Sequence, residues 1–488
     1  MHTAVVATCC AFVLLGTLPV FVGLYQYVLL AFSFFATHLS KTEIFLPRVA
    51  VLIPAWNEGA VIATTIDRLM KLRYPTDSLR VYVIDDASSD QTPHEVIEKC
   101  KRYPGRVFHI RRVAGGEGKA HTLNYGLNVL WTGPWTQAIL IMDADVIYTP
   151  DSVRKMARHL VDPAIGAVTA YIKEGSRDPN YMQRFITFEY ITATGASRRA
   201  QNVLGFLACL SGGAQLHSRE NLLAIGGQIF SATLAEDTFT TFRTQLGGRK
   251  AIFEPNAIVY AEEPDNIEGL WKQRIRWGRG NVQITKVFRD LWFNSKKHAT
   301  MGSVSMALIW FSIFLMPVFQ TAASLSLITL YFMDSDWAWK MFSVLWIGSA
   351  IVYLVVTFSS YLVDWESAKK SWLEGILFPG IISLAVILYS IYPPLFEPLM
   401  ALFAAHASPL MQASATLFLY AWVALSMAAA YGALEMERRK LPTWLCSTAL
   451  YIAGYGPLLC AVTMGSYIKE LRGASMTWDK TVKTGKVG

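Results

Sequence analysis

Between about Arg48 and Lys297, short apolar runs alternate with stretches of helical periodicity, and long unbroken apolar stretches lie on either side. The short runs are rich in β-branched residues and occupy Val49–Ala55, Leu79–Asp85, Arg106–Arg112, Gln137–Asp143 and Gly166–Ile172. The helical pattern occupies Val61–Leu72, Pro93–Arg102, Ala120–Trp131 and Pro150–Leu160. Strands that alternate with helices predict an α/β domain with a mixed, mostly parallel sheet covered on both faces. Ligands bind such sheets beyond the carboxyl ends of the strands.

The long apolar stretches predict membrane-spanning helices. Ala4–Leu39 carries no formal charge and is too long for the apolar part of a typical signal peptide, so it predicts one long span with a kink at Pro19. After Lys297 the candidate spans, each close to or above the ~20 residues that cross a bilayer, are Ser303–Met333, Trp337–Val363, Ile376–Pro393, Met411–Gly432 and Trp444–Tyr467. Phe378–Pro409 contains several prolines and predicts a broken or re-entrant helix.

Composition and charge support a membrane protein that carries a soluble domain. Charged residues make up 16% of the 488 positions, below the roughly 25% of soluble domains. The expected order is a transmembrane segment (1–40), a cytoplasmic α/β domain (41–297), further transmembrane helices with interfacial segments (298–470) and a basic tail (471–488). Lys41 and Arg48 follow the first span, so the positive-inside rule places the domain in the cytoplasm and predicts a multi-pass protein of the plasma (inner) membrane. The later positive charges do not agree on one side for the tail.

The net charge of +8 does not indicate a nucleic-acid partner. Membrane proteins concentrate Lys and Arg beside anionic lipid headgroups, and the sequence contains no motif of an RNA- or DNA-binding domain. The lipid bilayer is therefore the partner that the charge indicates, and nucleic acid is excluded.

Two carboxylates follow one predicted strand. Asp143 and Asp145 come after the apolar run that ends at Met142, so their side chains project at the edge of the sheet. Mg²⁺ and Mn²⁺ prefer carboxylate oxygens, and such a cation would offset negative charge on a diphosphate leaving group. A DxD pair alone is a weak signal, because an acidic turn has the same sequence.

Two other strand ends, and a glycine turn, carry candidate nucleotide-binding residues. Trp56 and Glu58, in the motif IPAWNE, offer a flat surface for a base and a polar contact, although a plain strand end has the same pattern. Asp86, in DDASSD, could accept hydrogen bonds from a base or ribose, while helix capping remains open for this loop. The glycine turn before Lys119 lacks the residues of a P-loop, but its N–H groups and Lys119 are candidates for binding a diphosphate or the donor sugar.

Two further motifs suggest chemistry and binding. Asp237 follows Glu236 at a predicted helix start and could take the proton of an acceptor hydroxyl; helix capping is the alternative. The motif QRIRW lies on a predicted amphipathic helix just before the apolar part, with Gln273, Arg276 and Trp277 on one face. Its arginines could hold diphosphate oxygens and its tryptophan could stack on a sugar, whereas a basic aromatic helix on the bilayer surface would have the same sequence.

Read in order, these motifs resemble the family-2 glycosyltransferases, specifically the processive membrane synthases of cellulose, chitin oligosaccharide, hyaluronan and poly-N-acetylglucosamine. The resemblance covers about Val49 to Trp277. It implies a GT-A-like nucleotide-sugar transferase domain inserted between transmembrane helices, a UDP-sugar donor, Mg²⁺ or Mn²⁺, and inversion at the anomeric carbon. It also implies a growing polysaccharide that leaves through the protein's own membrane channel, with accessory export subunits as optional partners.

The resemblance assigns roles to individual residues. Asp86 resembles the uridine-binding aspartate, Asp143 and Asp145 the metal pair, and Asp237 the general base. The residues expected around the donor are Pro54, Trp56, Glu58, Asp86, Lys119, Asp143, Gln273, Arg274 and Arg276. Those expected around the acceptor are Ser211, Gly212, Glu236 and Trp277.

The expected function is therefore a processive, inverting polysaccharide synthase. The context GLWKQRIRW (Gly269–Trp277) looks closest to poly-N-acetylglucosamine synthases, which favours UDP-N-acetylglucosamine as donor and puts UDP-glucose next. One alternative is a non-processive transferase that acts on a membrane lipid, because ceramide glucosylation also employs a QxxRW-like sequence. A non-enzymatic transporter or sensor is a third hypothesis, which the ordered carboxylates disfavour.

Overall fold

The computed structural model describes residues 2–35 and 44–475, and its contacts divide the chain into two units. Of the described residues, the sheet unit comprises 29–35, 44–265, Arg279–Ala307 and 473–475, and the helical unit comprises 2–28, Asn266–Gly278 and Leu308–Arg472. This division groups the QRIRW motif with the apolar helices, whereas the sequence analysis placed it in the domain 41–297; the linear bounds stay a prediction. Lys41 and the tail lysines Lys480, Lys483 and Lys486 lie outside the described residues.

The sheet unit is built on eight strands in the order β3-β2-β1-β4-β7-β6-β8-β5. Their bounds are β1 Val49–Ala55, β2 Leu79–Asp85, β3 Val107–Arg111, β4 Ala138–Ile141, β5 Ile147–Tyr148, β6 Ile165–Glu174, β7 Gln215–Ser218 and β8 Lys250–Ala261. The pairs β1–β2, β2–β3, β1–β4 and β6–β8 are parallel, while β7 runs antiparallel to β4 and β6, and β5 antiparallel to β8. The prediction of a mixed, mostly parallel sheet is confirmed, although β5, β7 and β8 were not predicted.

Helices cover both faces of this sheet, because its central strands are apolar on both sides. In β1, Val49, Val51 and Ile53 join the core on one face, and Ala50 and Leu52 join the core on the other. The helices of the sheet unit are α2 Ile62–Met70, α3 Thr92–Arg102, α4 Lys119–Trp131, α5 Ser152–Ala157, α6 Tyr181–Glu189, α7 Ser197–Leu204, α8 Arg219–Ala224 and α9 Glu236–Leu246. The four predicted helices are therefore present, with ends shifted by a few residues.

Most residues of the apolar helices belong to the helical unit, although three of these helices, at 2–35, 267–287 and 304–314, extend beyond its bounds. The first, α1, is one continuous helix over His2–Phe35 with Pro19 inside it, as predicted. The others, including α10 that carries QRIRW, are α10 Ile267–Val287, α11 Val304–Phe314, α12 Met316–Met333, α13 Ser335–Val363, α14 Trp365–Ala368, α15 Trp372–Ile376, α16 Ile381–Ile391, α17 Glu397–His406, α18 Pro409–Arg438, α19 Thr443–Ala453 and α20 Tyr455–Leu471. Four of the described helices are long and apolar enough to cross a membrane, and five if the bent pair α19–α20 counts as one span.

Three predicted spans are not single helices. Ser303–Met333 breaks at Leu315, where Pro317 opens the next helix. The proline-rich part divides into α16, a 3₁₀ turn and α17, as a broken helix requires. Trp444–Tyr467 was expected as one span, and the structure divides it into α19 and α20, which meet at 92°. The bend occurs at Gly454, whose φ is +105° and where a Cβ would lie 2.5 Å from the carbonyl oxygen of Pro379, so only glycine fits.

Candidate active site

The loops after β1 and β2 are joined by hydrogen bonds. The Asn57 N–H donates to Ser88 Oγ at 3.0 Å, the Ser89 N–H donates to Asn57 Oδ1 at 2.9 Å, and the Glu58 N–H donates to Thr92 Oγ1 at 2.7 Å. These bonds hold Asn57 in the left-handed region, with φ +55°. The adjacent Trp56 side chain remains 42% exposed. The IPAWNE and DDASSD motifs therefore form one surface, with Pro54 in β1 opposite Ile84.

Asp85 and Asp86 are neighbours with different environments. The buried Asp85 carboxylate accepts hydrogen bonds from His109, Arg111 and the Ser88 N–H. Burial would raise the pKa of Asp85, but these hydrogen bonds outweigh it and hold the pKa below its ordinary value. Asp85 is thus part of the support of the sheet edge.

The Asp86 carboxylate pairs with the Arg112 guanidinium and accepts the Gly116 N–H at 2.9 Å. Arg112 also pairs with Glu117, and the two carboxylates raise the pKa of Arg112 against the effect of burial. A Cβ at Gly115 would lie 2.0 Å from the carbonyl oxygen of Asp86, so the turn wraps this residue closely. Asp86 and the glycine turn therefore form one structure. The sequence analysis did not identify Arg112, which directly follows β3.

A compact group of charges surrounds Lys119, the first residue of α4. Its ammonium lies 2.5 Å from Asp143 Oδ1, 3.1 Å from the carbonyl oxygen of Gly212 and 3.8 Å from Glu236 Oε1. Burial alone would lower the pKa of this ammonium, but the charges of Asp143, Glu236 and Asp237 raise it above its ordinary value. Five predicted site residues from four separate parts of the chain are therefore in one place.

Asp143 and Asp145 lie on the turn between β4 and β5, and both are half-buried. In residues 2–35 and 44–475 no group of three or more His, Cys, Asp or Glu side chains is arranged to hold a metal ion. Mg²⁺ typically binds through one or two carboxylates together with substrate phosphates. The two aspartates fit a divalent cation whose remaining ligands come from a bound diphosphate.

The Ser211–Gly213 loop passes close to two of these carboxylates. A Cβ at Gly212 would lie 3.1 Å from Asp237 Oδ2, and a Cβ at Gly213 would lie 3.0 Å from Asp143 Oδ2. Asp237 is in the first turn of α9 and its Oδ1 accepts the Thr238 N–H at 2.6 Å. A helix N-terminus favours negative charge, so the start of α9 stabilises the carboxylates of Glu236 and Asp237 in its first turn.

Arg198 is a candidate site residue that the sequence analysis did not identify. It lies in α7, directly after the π-helical turn Tyr190–Ala196, and its half-buried guanidinium donates a hydrogen bond to Ser211 Oγ. Burial lowers the pKa of Arg198, and the nearby charge of Asp237 partly restores it. The signal was present: Arg198 and Arg199 are the only Asp, Glu, Lys or Arg residues between Glu189 and Arg219.

The QRIRW motif lies in the helical unit, on α10. Arg274 is buried, donates a hydrogen bond to Gln273 Oε1 at 2.7 Å, and stacks over Trp277 with 4.0 Å between the guanidinium carbon and the ring centroid. Trp277 is 38% exposed and Arg276 is half-buried. The face expected from the sequence joined Gln273, Arg276 and Trp277, whereas the stacked group contains Arg274, since residues three apart are also neighbours on a helix.

This part of α10 packs against other helices of its unit. The Glu437 carboxylate, in the last turn of α18, accepts the Ile267 and Glu268 N–H groups at 3.3 and 2.7 Å. Ser466 Oγ in α20 donates to the carbonyl oxygen of Ile275 at 3.3 Å. The QRIRW motif is therefore packed against other helices of the protein. The free N–H groups at the start of α10 are satisfied by the Glu437 carboxylate.

Comparison with known proteins gives the family of the sheet unit. Residues 47–280 match the family described as "Glycosyltransferase like family 2". The chain is 32% identical over 259 residues to a probable glycosyltransferase, YdaM, of Bacillus subtilis, which covers 52% of this chain and 59% of that protein. It is 25% identical over 287 residues to the poly-β-1,6-N-acetyl-D-glucosamine synthase of Staphylococcus epidermidis, with 57% and 66% covered. The chain thus matches less than two thirds of the length of these relatives.

A solved structure shows the same fold. A mannosyltransferase of Pyrobaculum calidifontis, in complex with GDP-Man and Mn²⁺, superimposes with a TM-score of 0.55 at 20% identity, covering 80% of this chain and 99% of that one. The sheet and its helices therefore have the GT-A fold, and residues 47–280 of this chain are a glycosyltransferase domain of family 2.

Proposed function

We propose that this protein is a processive, inverting glycosyltransferase that polymerises a sugar from a UDP-sugar into a β-linked polysaccharide and exports it through its own membrane helices. UDP-N-acetylglucosamine is the favoured donor and UDP-glucose the next. The relatives named poly-β-1,6-N-acetylglucosamine synthase support this order, although they are only 25% to 27% identical to this chain. The same comparison and the apolar helices support a multi-pass plasma (inner) membrane protein with a cytoplasmic catalytic domain.

The observation that carries the proposal is the convergence on Lys119. One ammonium contacts the candidate metal ligand Asp143, the acceptor loop at Gly212 and, at ion-pair distance, Glu236 beside the candidate base Asp237. A transfer from a nucleotide sugar needs a positive group near the diphosphate and a base near the acceptor hydroxyl. If these carboxylates served only to cap separate helices, they would not need to lie around one ammonium group.

The proposed step uses Asp237 as the general base. The acceptor hydroxyl oxygen attacks the anomeric carbon, the bond from that carbon to the diphosphate oxygen breaks, and the electron pair leaves with the diphosphate. Asp237 takes the hydroxyl proton during the attack. Arg198 and Ser211 fix the loop beside this carboxylate, which supports a role in positioning the acceptor.

Asp143 and Asp145 would hold the divalent cation, Mg²⁺ or Mn²⁺. When bound with the diphosphate, the cation would offset the negative charge that develops on the leaving group. Lys119 adds a positive charge on the same side, and its side chain is mostly shielded from solvent.

Donor recognition is assigned to the surface formed by the first two strand ends. The half-exposed Trp56 offers a face for the uracil ring, and Asp86 offers a carboxylate that is already fixed by Gly116 and Arg112. Pro54 and Glu58 belong to the same loop. Gln273, Arg274 and Arg276 belong to the helical unit, and the roles that the resemblance gives them at the diphosphate, and Trp277 at the acceptor sugar, stay predictions from the sequence.

The product distinguishes this proposal from the alternatives. Membranes that contain the protein are incubated with radiolabelled UDP-N-acetylglucosamine or UDP-glucose and Mg²⁺, and the product is tested for organic extraction and for cleavage by a polysaccharide hydrolase. We expect labelled polymer that stays in the aqueous or insoluble phase and that the hydrolase cleaves. A single labelled sugar on an extractable lipid would instead identify a lipid transferase. Failure to release UDP from any UDP-sugar would contradict both. Export through accessory subunits is checked by co-purification with the active protein.

A further inference from the structure

We propose that Lys119 is the built-in counter-ion of the cation site, and that a divalent cation binds Asp143 tightly only after a diphosphate has drawn the Lys119 ammonium away. This inference deepens the proposed function and rests on it in one respect, the diphosphate group of the donor. It predicts an order of events in which binding of the nucleotide precedes tight binding of the cation.

The geometry of the ammonium carries the inference. Lys119 Nζ lies 2.5 Å from Asp143 Oδ1, which is the distance of a strong charge-assisted hydrogen bond. A divalent cation on the same carboxylate would face this positive charge within a few ångströms. The Lys119 side chain is only 9% exposed, so water screens the repulsion poorly. The ammonium and the cation therefore compete for Asp143.

The lysine is able to change partners without a change of the backbone. Lys119 opens α4 after Gly118, whose φ of +101° fixes the start of the helix, while the ammonium is at the end of a flexible four-carbon chain. Besides Asp143, the Gly212 carbonyl oxygen and Glu236 Oε1 lie 3.1 and 3.8 Å from the ammonium. A diphosphate carries more negative charge than one carboxylate, so it attracts the ammonium and leaves Asp143 open to the cation.

A simpler role for Lys119 leads to a different expectation. If Lys119 only bound the donor, its removal would weaken nucleotide binding and leave the cation affinity of the nucleotide-free protein unchanged. Competition requires the opposite: removal of the positive charge strengthens cation binding when no nucleotide is present. Because binding energies are reciprocal, the same competition makes UDP and the cation raise each other's affinity more in the wild type than in the variant.

The test measures Mn²⁺ binding by electron paramagnetic resonance of the free ion, on the full chain in lipid nanodiscs, with and without UDP. For Lys119→Gln without UDP we expect a Kd for Mn²⁺ at least about fivefold lower than for the wild type, the lower end of typical couplings between linked sites. Lys119→Arg, which keeps the charge, is expected to bind Mn²⁺ as weakly as the wild type. Asp143→Asn is expected to abolish tight Mn²⁺ binding, both in the wild type and when it is combined with Lys119→Gln.

Lys101→Gln is the matched control, because Lys101 is an exposed residue of α3 that pairs with Glu98 in its own helix. It removes the same charge and is expected to leave the Kd for Mn²⁺ unchanged. Lys119→Met is measured in parallel, and a melting curve shows which of the two neutral variants folds. Equal Mn²⁺ affinity of the folded neutral variant and the wild type without UDP would overturn the inference, as would a gain that Lys119→Arg shares.

The same preparations distinguish failure of this inference from failure of the proposed function. Wild-type protein is assayed for release of UDP from UDP-sugars alongside the Mn²⁺ titrations. Turnover together with unchanged Mn²⁺ affinity would refute the competition and leave the transferase in place. Absence of turnover with every UDP-sugar would refute the proposed function, whatever the Mn²⁺ titrations give.

Discussion

The two regions that carry the motifs are built in different ways. In the sheet unit, Lys119, Asp143 and Asp237 lie in separate loops and helix starts. They meet because the fold of the sheet brings these segments together. In the helical unit, Gln273, Arg274 and Trp277 are close in sequence and satisfy one another on one helix. The sheet unit brings opposite charges from separate segments together. In the helical unit, by contrast, the QRIRW side chains form one surface on α10, and packing against other helices holds that surface in place.

This difference predicts that substitutions in the two regions fail in different ways. Changes in the sheet unit site are expected to lower the rate of the chemical step with little effect on folding. Changes in the QRIRW region are expected to affect helix packing or acceptor use first.

Asp237→Asn should have the largest effect. The amide cannot take the acceptor proton, so we expect kcat for UDP release to fall by about 10²- to 10⁴-fold, the usual contribution of a general base. Binding of UDP, measured by calorimetry, should stay close to that of the wild type. Glu220→Gln, in the first turn of α8, is the control for a carboxylate-to-amide change at another helix start. Full activity of Asp237→Asn would show that Asp237 is not the general base.

Gly278→Ala tests the packing of the QRIRW helix. A Cβ at Gly278 would lie 2.3 Å from Ser466 Oγ and 2.8 Å from Ser466 Cβ, so α10 and α20 must move apart. We expect a loss of about 1–3 kcal/mol in the free energy of unfolding, the usual cost of overpacking. Thermal unfolding of the detergent-solubilised protein measures it.

The chain offers both a suppressor and a control for this variant. Ser466→Gly removes the clashing side chain and should restore part of the stability in the double variant. Gly432→Ala, on α18 with open space around it, should be neutral or slightly stabilising. If Gly278→Ala were as stable as Gly432→Ala, the close contact between α10 and α20 would be wrong.

The parallel half of the fold was predictable from the sequence because local patterns agree with it. The strands β1 to β4 are apolar runs that end in turn residues, and the helices between them have clear periodicity. The strand β7 was missed because Gln215 and His217 point polar groups into the interior. They are satisfied there by each other and by Asn221, which no local pattern reveals.

Nonlocal features of the site were also out of reach of sequence patterns. The contact between Lys119 and Asp143 joins residues on different segments, and the pairing of Arg112 with Asp86 depends on the register of β2 and β3. The bend at Gly454 depends on the close approach of Pro379, far away in the sequence. Motifs indicated which residues matter, whereas their partners depend on the packing.

Trp277→Ala should have a smaller effect than the two preceding variants. Removal of the ring takes away the surface on which Arg274 stacks and the proposed support of the acceptor. We expect about a tenfold fall in polymer formation, equivalent to about 1.4 kcal/mol, with a smaller change in the KM for the donor. Lys272→Ala, on the same helix and paired with Glu268, is the control. A fall confined to the KM for the donor would move Trp277 to the donor side.

Asp85→Asn should have the smallest effect, and it separates support from chemistry within the sheet unit. The Asp85 carboxylate has a pKa below its ordinary value, so it stabilises the fold above the unfolded pKa of about 3.9 and loses this contribution as the pH falls through the folded pKa. At pH 7 we expect Asp85→Asn to lower the free energy of unfolding by roughly 1 kcal/mol, the net value of one hydrogen bond. The difference from the wild type should begin to shrink as the pH falls below about 4, because Asp85 of the unfolded chain then binds a proton, and it should be smallest below the folded pKa, where the native carboxyl is neutral as well. Denaturant unfolding of the detergent-solubilised protein at several pH values measures it, with Asp77→Asn, in the 3₁₀ turn before β2, as control. A difference that stayed constant with pH would mean that the charge of Asp85 contributes nothing, and that its hydrogen-bond geometry alone supports the sheet edge.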